Sequence, residues 1–516
     1  MALILPDDLL LSFDLGTTGL KTSLFSAAGD VVASTTRPYP TSYPRPGWAE
    51  QNPEDWLSAL AGALDELQAH APADMASRIR SLGLSGHMMG VVAVDAQGRV
   101  LRPAILHSDV RSAAYADDFA QRLGADYYYD LTGQPLDPHY PLLKLMWLAA
   151  EEPQIYSRAH VFLQSKDWLR ARLIDPAPDP PRWATTDFSD ASLYGAYDLA
   201  RREWSREVIE AAGLDAGKMP EVVGSAEVVG GLCDEWAARL GLPAGLPVVA
   251  GGGDGSCATA GAGVAHAGAA YAYLGGTAWI GALSDAVPLD DRRRLFVLGH
   301  LEPGIYAAFG TMQTAGSAFE WVARELLPEA AAGGRASWEQ VEALMAQAES
   351  GCRGLFFLPY LMGERSPLWD PRARGCWVGL TLSHTRAELV RSVYEGVSFA
   401  LRSILDAVED AAGPVTELRL IGGGAKSRLW MPVLASVLGK ELLSCRYLEE
   451  ATGLGAAMAA AIDVGLYASL AEAAQLVETT SLWEPDAHLA ARYAKIYPRW
   501  CELYPALRRF FTGFEP

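Results

Sequence analysis

Apolar positions along the chain fall into short uninterrupted runs that end on glycine, a pattern that predicts strands leading into tight turns. The first run, Leu9–Asp14, meets Gly16-Thr17-Thr18-Gly19. A second, Leu20–Ser26, follows at once, and a third, Val31–Thr36, comes after Gly29-Asp30. Strand, turn, strand, turn, strand is the economical reading. The period then changes. Asn52-Pro53-Glu54-Asp55 predicts a helix start, with Asn as cap, Pro at the first helical position and two acids at the positive end. Leu57, Leu60, Leu64 and Leu67 follow at helical spacing and predict its buried stripe. Arg80–Ser85 and Val91–Asp95 return to strand character around the loop Gly86-His87-Met88-Met89-Gly90. This alternation argues for an α/β protein.

The same grammar restarts near mid-chain. Pro247–Ala250 runs into Gly251-Gly252-Gly253-Asp254-Gly255, and strands are expected near Ala269–Leu274 and Trp279–Leu283. A helix is expected from about Thr314, carrying Phe319, Trp321 and Val322. Leu418–Ile421 then runs into Gly422-Gly423-Gly424, with a helix at Leu429–Leu438. The Pro-rich stretch Asp175–Pro181 reads as a surface loop. Two halves that each open with strand, turn and aspartate predict a duplicated α/β unit with a central cleft. The boundaries expected are 1–253 and 254–516, the last ~45 residues being a helical extension. No short repeat occurs, so a solenoid is excluded.

The glycine runs carry the candidate chemistry. Asp14 stands at a strand end before a turn rich in backbone N–H and hydroxyl donors, which suit phosphate oxygens, and Lys21 adds a cation just beyond. The same residues make an ordinary β-hairpin equally well. Asp254 leaves a buried strand after three glycines that permit close approach; it could also cap the next helix. Gly422-Gly423-Gly424 offers a side-chain-free surface for a purine ring or phosphate. Neither a dinucleotide fingerprint nor a P-loop is present.

Composition narrows the class. The 516 residues carry a formal charge of −20, which disfavours binding nucleic acid by charge. Half of them are hydrophobic, which rules out wholesale disorder. The six cysteines form no C-x-x-C pair and fit a reducing compartment. The opening MALILPDD lacks a basic region and a cleavage site, so no signal peptide is expected. Leu454–Ile462 is too short to span a bilayer. A soluble, cytoplasmic protein with no membrane partner is the expectation.

LSFDLGTTGLKTSLF, PGWAEQNPEDW, GLSGHMMG, LRPAILHSDVRS, TGQPLDPHYPLLKLMWL, TTDFSDAS, VVAGGGDGSCATAGAG, FFLPYLMGERSP and LIGGGAKSRLW occur in the order and spacing of the FGGY carbohydrate kinases. The resemblance spans nearly the whole chain and is greatest to the xylulokinase branch. It implies a two-lobed actin/hexokinase-like ATPase fold built from duplicated ribonuclease H-like domains, with the sugar on the N-terminal lobe and ATP on the C-terminal one. It also implies a homodimer. Asp254 matches the catalytic base. Asp14 matches the carboxylate that holds Mg²⁺, with Asp254 the second carboxylate there. Thr17, Thr18 and Lys21 match the first phosphate turn, and Gly276 and Thr277 a second. Gly316 and Glu320 match nucleotide contacts; Gly423, Gly424 and Arg428 fall in the adenosine site. His87, Met88, Met89, Asp109, Arg111 and His139 fall at the sugar.

The sugar loop departs from the branch. Met89 stands where a hydrogen-bonding His is usual, Gly255 where Asn is usual, and His107-Ser108-Asp109 where Trp-Asn-Asp is usual. His87, His107 and His139 could supply new partners. Trp48 reads equally as a pocket wall or a core residue. The resemblance implies ATP- and Mg²⁺-dependent phosphorylation of a small ketose or polyol, D-xylulose to D-xylulose 5-phosphate first. Another pentulose or a tetritol is the rival acceptor. An actin-fold ATPase acting on a protein partner is the rival of a different class.

Overall fold

The structure is a computed structural model that describes residues 7–174, 182–327 and 338–513. The opening Met1–Pro6 and the Pro-rich stretch 175–181 lie outside the described residues. The predicted apolar runs are strands. β1 (Leu9–Leu15), β2 (Gly19–Ser26), β3 (Val31–Pro38), β4 (Ile79–Gly86) and β5 (Pro247–Val249) form one sheet in the order β3-β2-β1-β4-β5. The first three are antiparallel neighbours; β4 runs parallel to β1 and β5 parallel to β4. β6 (Ala270–Leu274), β7 (Ala278–Ser284), β8 (Tyr306–Met312), β9 (Glu417–Ile421) and β10 (Glu441–Cys445) form the second sheet in the order β8-β7-β6-β9-β10. Its strand directions repeat those of the first. Order and direction recur strand for strand, which is the duplicated, two-lobed actin/hexokinase-like fold.

Alternation in β1 explains how the first lobe is covered. Leu9, Leu11, Phe13 and Leu15 face the helix α1 (Pro53–Gln68) and its buried Trp56, Leu57, Leu60, Leu64 and Leu67. Asn52 caps that helix by accepting from the Glu54 amide, as its sequence predicts. The other face of β1 presents Leu10, and there the cover comes from far away in sequence. The helix Ala451–Asp463 brings Leu454, Ala457 and Met458 against Leu10 and Phe25. That helix also crosses the helix Asp254–Gly261 at glycines. A Cβ on Gly261 would lie 1.7 Å from the Ala451 carbonyl, and one on Gly455 1.9 Å from that of Cys257. Only glycine allows the two backbones to approach so closely.

The second lobe is built around the helix Arg386–Ala412, capped by the Thr385/Glu388 capping box. Its Val390, Val393, Val397, Leu401 and Ile404 pack with the second sheet in the largest core. Toward the C-terminus, Thr479–Trp483 adds an edge strand to that sheet. The helices Ala487–Cys501 and Leu503–Phe511 then bury Tyr493, Trp500, Tyr504 and Phe511 in the same core. Among the described residues no helix is long and apolar enough to cross a membrane.

Candidate active site

Repetition of the fold places equivalent loops face to face. The β1–β2 turn of the first sheet carries Thr17, and the β6–β7 turn of the second carries Thr277. Both line one cavity of about 280 Å³, together with Asp254. Asp254 arrives there because Gly252-Gly253 pairs with the end of β4 and the next helix begins at once. Opposite it, the loop after β4 contributes His87, Met88 and Met89, and His107 closes that side. Met88 packs on the strand that delivers the aspartate: a Cβ on Gly253 would lie 2.5 Å from its Sδ. Met89 holds the left-handed conformation, φ 62°. Its amide donates to Gln164 Oε1 at 2.5 Å.

Asp254 Oδ1 accepts from the Gly255 amide at 2.8 Å. Burial, reinforced by the Asp14 carboxylate, pushes Asp254 up to about 7. Burial likewise raises Asp14, to about 6, with Lys21 acting against it. A carboxylate near 7 is matched to taking a proton at neutral pH. Asp14 Oδ1 is buried without a hydrogen-bond partner. Two carboxylates in mutual repulsion with an orphaned oxygen fit a divalent cation. Among the described residues no group of three or more His, Cys, Asp or Glu could hold a metal unaided. A cation here would take its other ligands from phosphate oxygens and water.

The imidazoles on the opposite wall are neutral. Burial, helped by the Lys144 ammonium, takes His87 down to about 4, and burial takes His107 well below its ordinary value. Both nitrogens of His87 and Nδ1 of His107 lack partners within the protein. A neutral imidazole offers one donor and one acceptor, which suits sugar hydroxyls.

Other expected residues lie elsewhere. Asp109 and Arg111 do not line the cavity. They form a fully buried ion pair, Nη2 to Oδ2 2.7 Å, and Asp109 also accepts from the Ala49 amide at 2.6 Å. Arg111 lies 3.7 Å over the Trp48 ring, and Trp48 packs edge-on against Trp147. Trp48 is half-buried, packed against the core of the first lobe and off the cavity lining. His139 is also off the cavity lining, its ring hydrogen-bonded to Asp137 Oδ1.

On the second lobe, the Gly276 carbonyl accepts from the Ala315 and Ser317 amides at 2.8 and 3.1 Å, joining the Thr277 turn to the helix Gly316–Leu326. Glu320 is exposed on that helix. Gly423 has open space where a Cβ would stand, Gly424 abuts Trp430, and Arg428 is exposed beyond them. Thr18 is exposed in its turn, and Lys21 Nζ reaches across to the Glu449 carbonyl at 2.6 Å.

Reading by motif missed Trp279, Gln313 and Arg365, which line the cavity from the second lobe. Arg365 lies 5.5 Å from the Phe296 and Trp369 ring centres, with Nε and Nη2 buried and unpartnered. Its signal in the sequence is the motif FFLPYLMGERSP, which contains Glu364-Arg365 but assigns neither residue a role.

A carboxylate tuned near neutrality, one threonine turn from each of two duplicated lobes and a wall of neutral imidazoles define a phosphotransferase acting on an alcohol. Residues 9–261 match the N-terminal domain of the FGGY family of carbohydrate kinases and residues 270–464 its C-terminal domain. The chain belongs to that family and is a carbohydrate kinase; ATP is the family's phosphoryl donor. It is 34% identical to the xylulose kinase of Escherichia coli K12 over 493 residues, 95% of this chain and 96% of that one. It is 30% identical to the xylulose kinase of Bacillus subtilis 168 over 506 residues, 98% of each chain. A crystal structure of a xyloylose kinase from Brucella ovis superposes with a TM-score of 0.88 at 31% identity, covering 97% of this chain and 100% of that one. The xylulose kinase from Rhodospirillum rubrum gives 0.87 at 31% identity, covering 98% and 100%.

Proposed function

We propose that this kinase transfers the γ-phosphoryl group of ATP to a terminal hydroxyl of D-xylulose, giving D-xylulose 5-phosphate. The observation that carries the reading is Asp254, raised to about 7 and set in a cavity between Thr17 and Thr277. Likeness to xylulose kinases over nearly the full chain supports the choice of sugar. Asp254 takes the hydroxyl proton as the oxygen attacks. An alcohol is a poor nucleophile, and the proton need only leave late in the transfer. The backbone amides around Thr17 and Thr277 hold the phosphates, and Gly423 and Gly424 give the adenine a flat seat. Asp14 would hold Mg²⁺, which neutralises charge developing on the transferred group. His87 and His107 orient the sugar through neutral ring nitrogens.

Six free thiols support a reducing, cytosolic setting. Light scattering on the purified enzyme distinguishes a monomer from the homodimer suggested by the family resemblance.

A coupled ADP-release assay over D-xylulose, D-ribulose, tetritols, hexuloses, gluconate and glycerol tests the function. ADP release should depend on sugar and be fastest with D-xylulose. A higher kcat/KM for another acceptor would replace the sugar. ATP hydrolysis indifferent to every acceptor would favour an ATPase acting on a protein partner.

A further inference from the structure

Lys144 is fully buried on the helix Pro141–Glu151, and its partners are backbone carbonyls. Its Nζ donates to the carbonyls of His139 at 2.6 Å, Leu106 at 2.7 Å and Met89 at 2.9 Å, with that of His107 at 3.5 Å. An ammonium has three N–H groups, and the three short bonds use all of them. Those carbonyls belong to three separate loops, which carry His87, Met88 and Met89, His107, and His139. Among the described residues no other atom hydrogen-bonds to all three loops. Met89 also needs an external hold, because a non-glycine residue at positive φ is strained unless its surroundings fix it. Gln164 takes its amide and Lys144 its carbonyl. Burial draws the ammonium down to about 7, against the pull of the Asp109 and Asp137 carboxylates.

We infer that Lys144 is a positioning residue for the acceptor sugar: it acts as a built-in cation that ties the two loops lining the cavity, those of His87–Met89 and His107, to the His139 loop behind them. This rests on the reading of the cavity as the sugar site. The ammonium itself does not line the cavity, and the four carbonyls around it all belong to the first lobe. Its loss should therefore act on the acceptor and spare ATP.

The test is steady-state kinetics of Lys144→Ala and Lys144→Met with both substrates varied. The sugar KM should rise about tenfold or more, because buried carbonyls lose their donor. The kcat should stay within about threefold and the ATP KM within about twofold. Propylammonium should restore the sugar KM of Lys144→Ala, since it brings three N–H donors into the vacated space. Tetramethylammonium, which has none, should not. Lys144→Met fills the space and should resist rescue. Unchanged sugar KM in both variants would overturn the inference. So would a joint collapse of kcat and both KM values without amine rescue, or a Lys144→Met chain that does not fold, since each assigns Lys144 to general stability. If the wild-type enzyme phosphorylates no sugar, the functional reading falls and takes this inference with it. If the wild type is active and the variants keep its sugar KM, this inference alone falls.

Discussion

The fourth strand of each sheet ends in a loop at the same place in the repeated topology, and the two loops are opposites. After β4, His87, Met88 and Met89 are buried, and Met89 is held at both its amide and its carbonyl. After β9, Gly423 is exposed, and no atom lies within 4 Å of where its Cβ would be. One backbone plan thus yields a walled pocket in one lobe and a bare platform in the other. A small polyol is told apart by hydrogen bonds to each hydroxyl, which need fixed side chains. A purine ring is recognised by its flat face, which side chains would obstruct. The two Thr-bearing turns differ less: Thr17 and Thr277 line the same cavity.

The comparison breaks most visibly at Asp254, which serves neither loop but lies between them. Asp254→Asn should fold normally and lose about 10²–10⁴ in kcat, measured by ADP release. Near-native turnover would remove it as the base. In the wild type, a carboxyl raised to about 7 is protonated and idle below that pH and ionised above it. The kcat/KM should therefore fall about tenfold per unit as the pH drops below 7, and more steeply once Asp14 protonates near 6. In Asp254→Asn the limb near 7 should vanish.

Asp14→Ala should cost about 10²-fold in Mg·ATP-dependent turnover while calorimetry finds sugar binding nearly intact. Equal losses of rate and sugar affinity would move Asp14 to the acceptor side.

Gly423→Val tests the bare platform. The space there is open, so the fold should be untouched, and a rise of about tenfold in ATP KM would report the nucleotide directly. An unchanged ATP KM would place the adenine elsewhere.

The smallest effect sharpens the walled pocket. Met89→His restores the hydrogen-bonding group usual in the xylulokinase branch, and His tolerates the left-handed backbone better than Met. The kcat/KM for D-xylulose should rise about 2–13-fold relative to other acceptors, the worth of one hydrogen bond. A sugar profile unchanged by this variant would mean that the loop does not select the sugar.

Local pattern was enough for the strands, their glycine turns, the Asn52 cap and the positions of Asp14 and Asp254. Each is specified by neighbours a few residues apart: period two, a φ that only glycine tolerates, a carboxylate at a strand end. Motif order along the chain was enough for the family and hence for the duplicated fold.

Contacts across long stretches of sequence decided the rest. Asp109 and Arg111, which the resemblance puts at the sugar, form a buried pair beneath Trp48, off the cavity lining. Lys144, one lysine in an apolar helix, acquires its part only because three distant carbonyls converge on it. Arg365 enters the cavity only when the second lobe meets the first. A buried charge is costly without partners, and which partners reach it is settled by packing between lobes. Sequence therefore determined where the chain turns and which carboxylates end its strands, whereas tertiary structure alone decided which charged residues reach the cavity and which brace the loops around it.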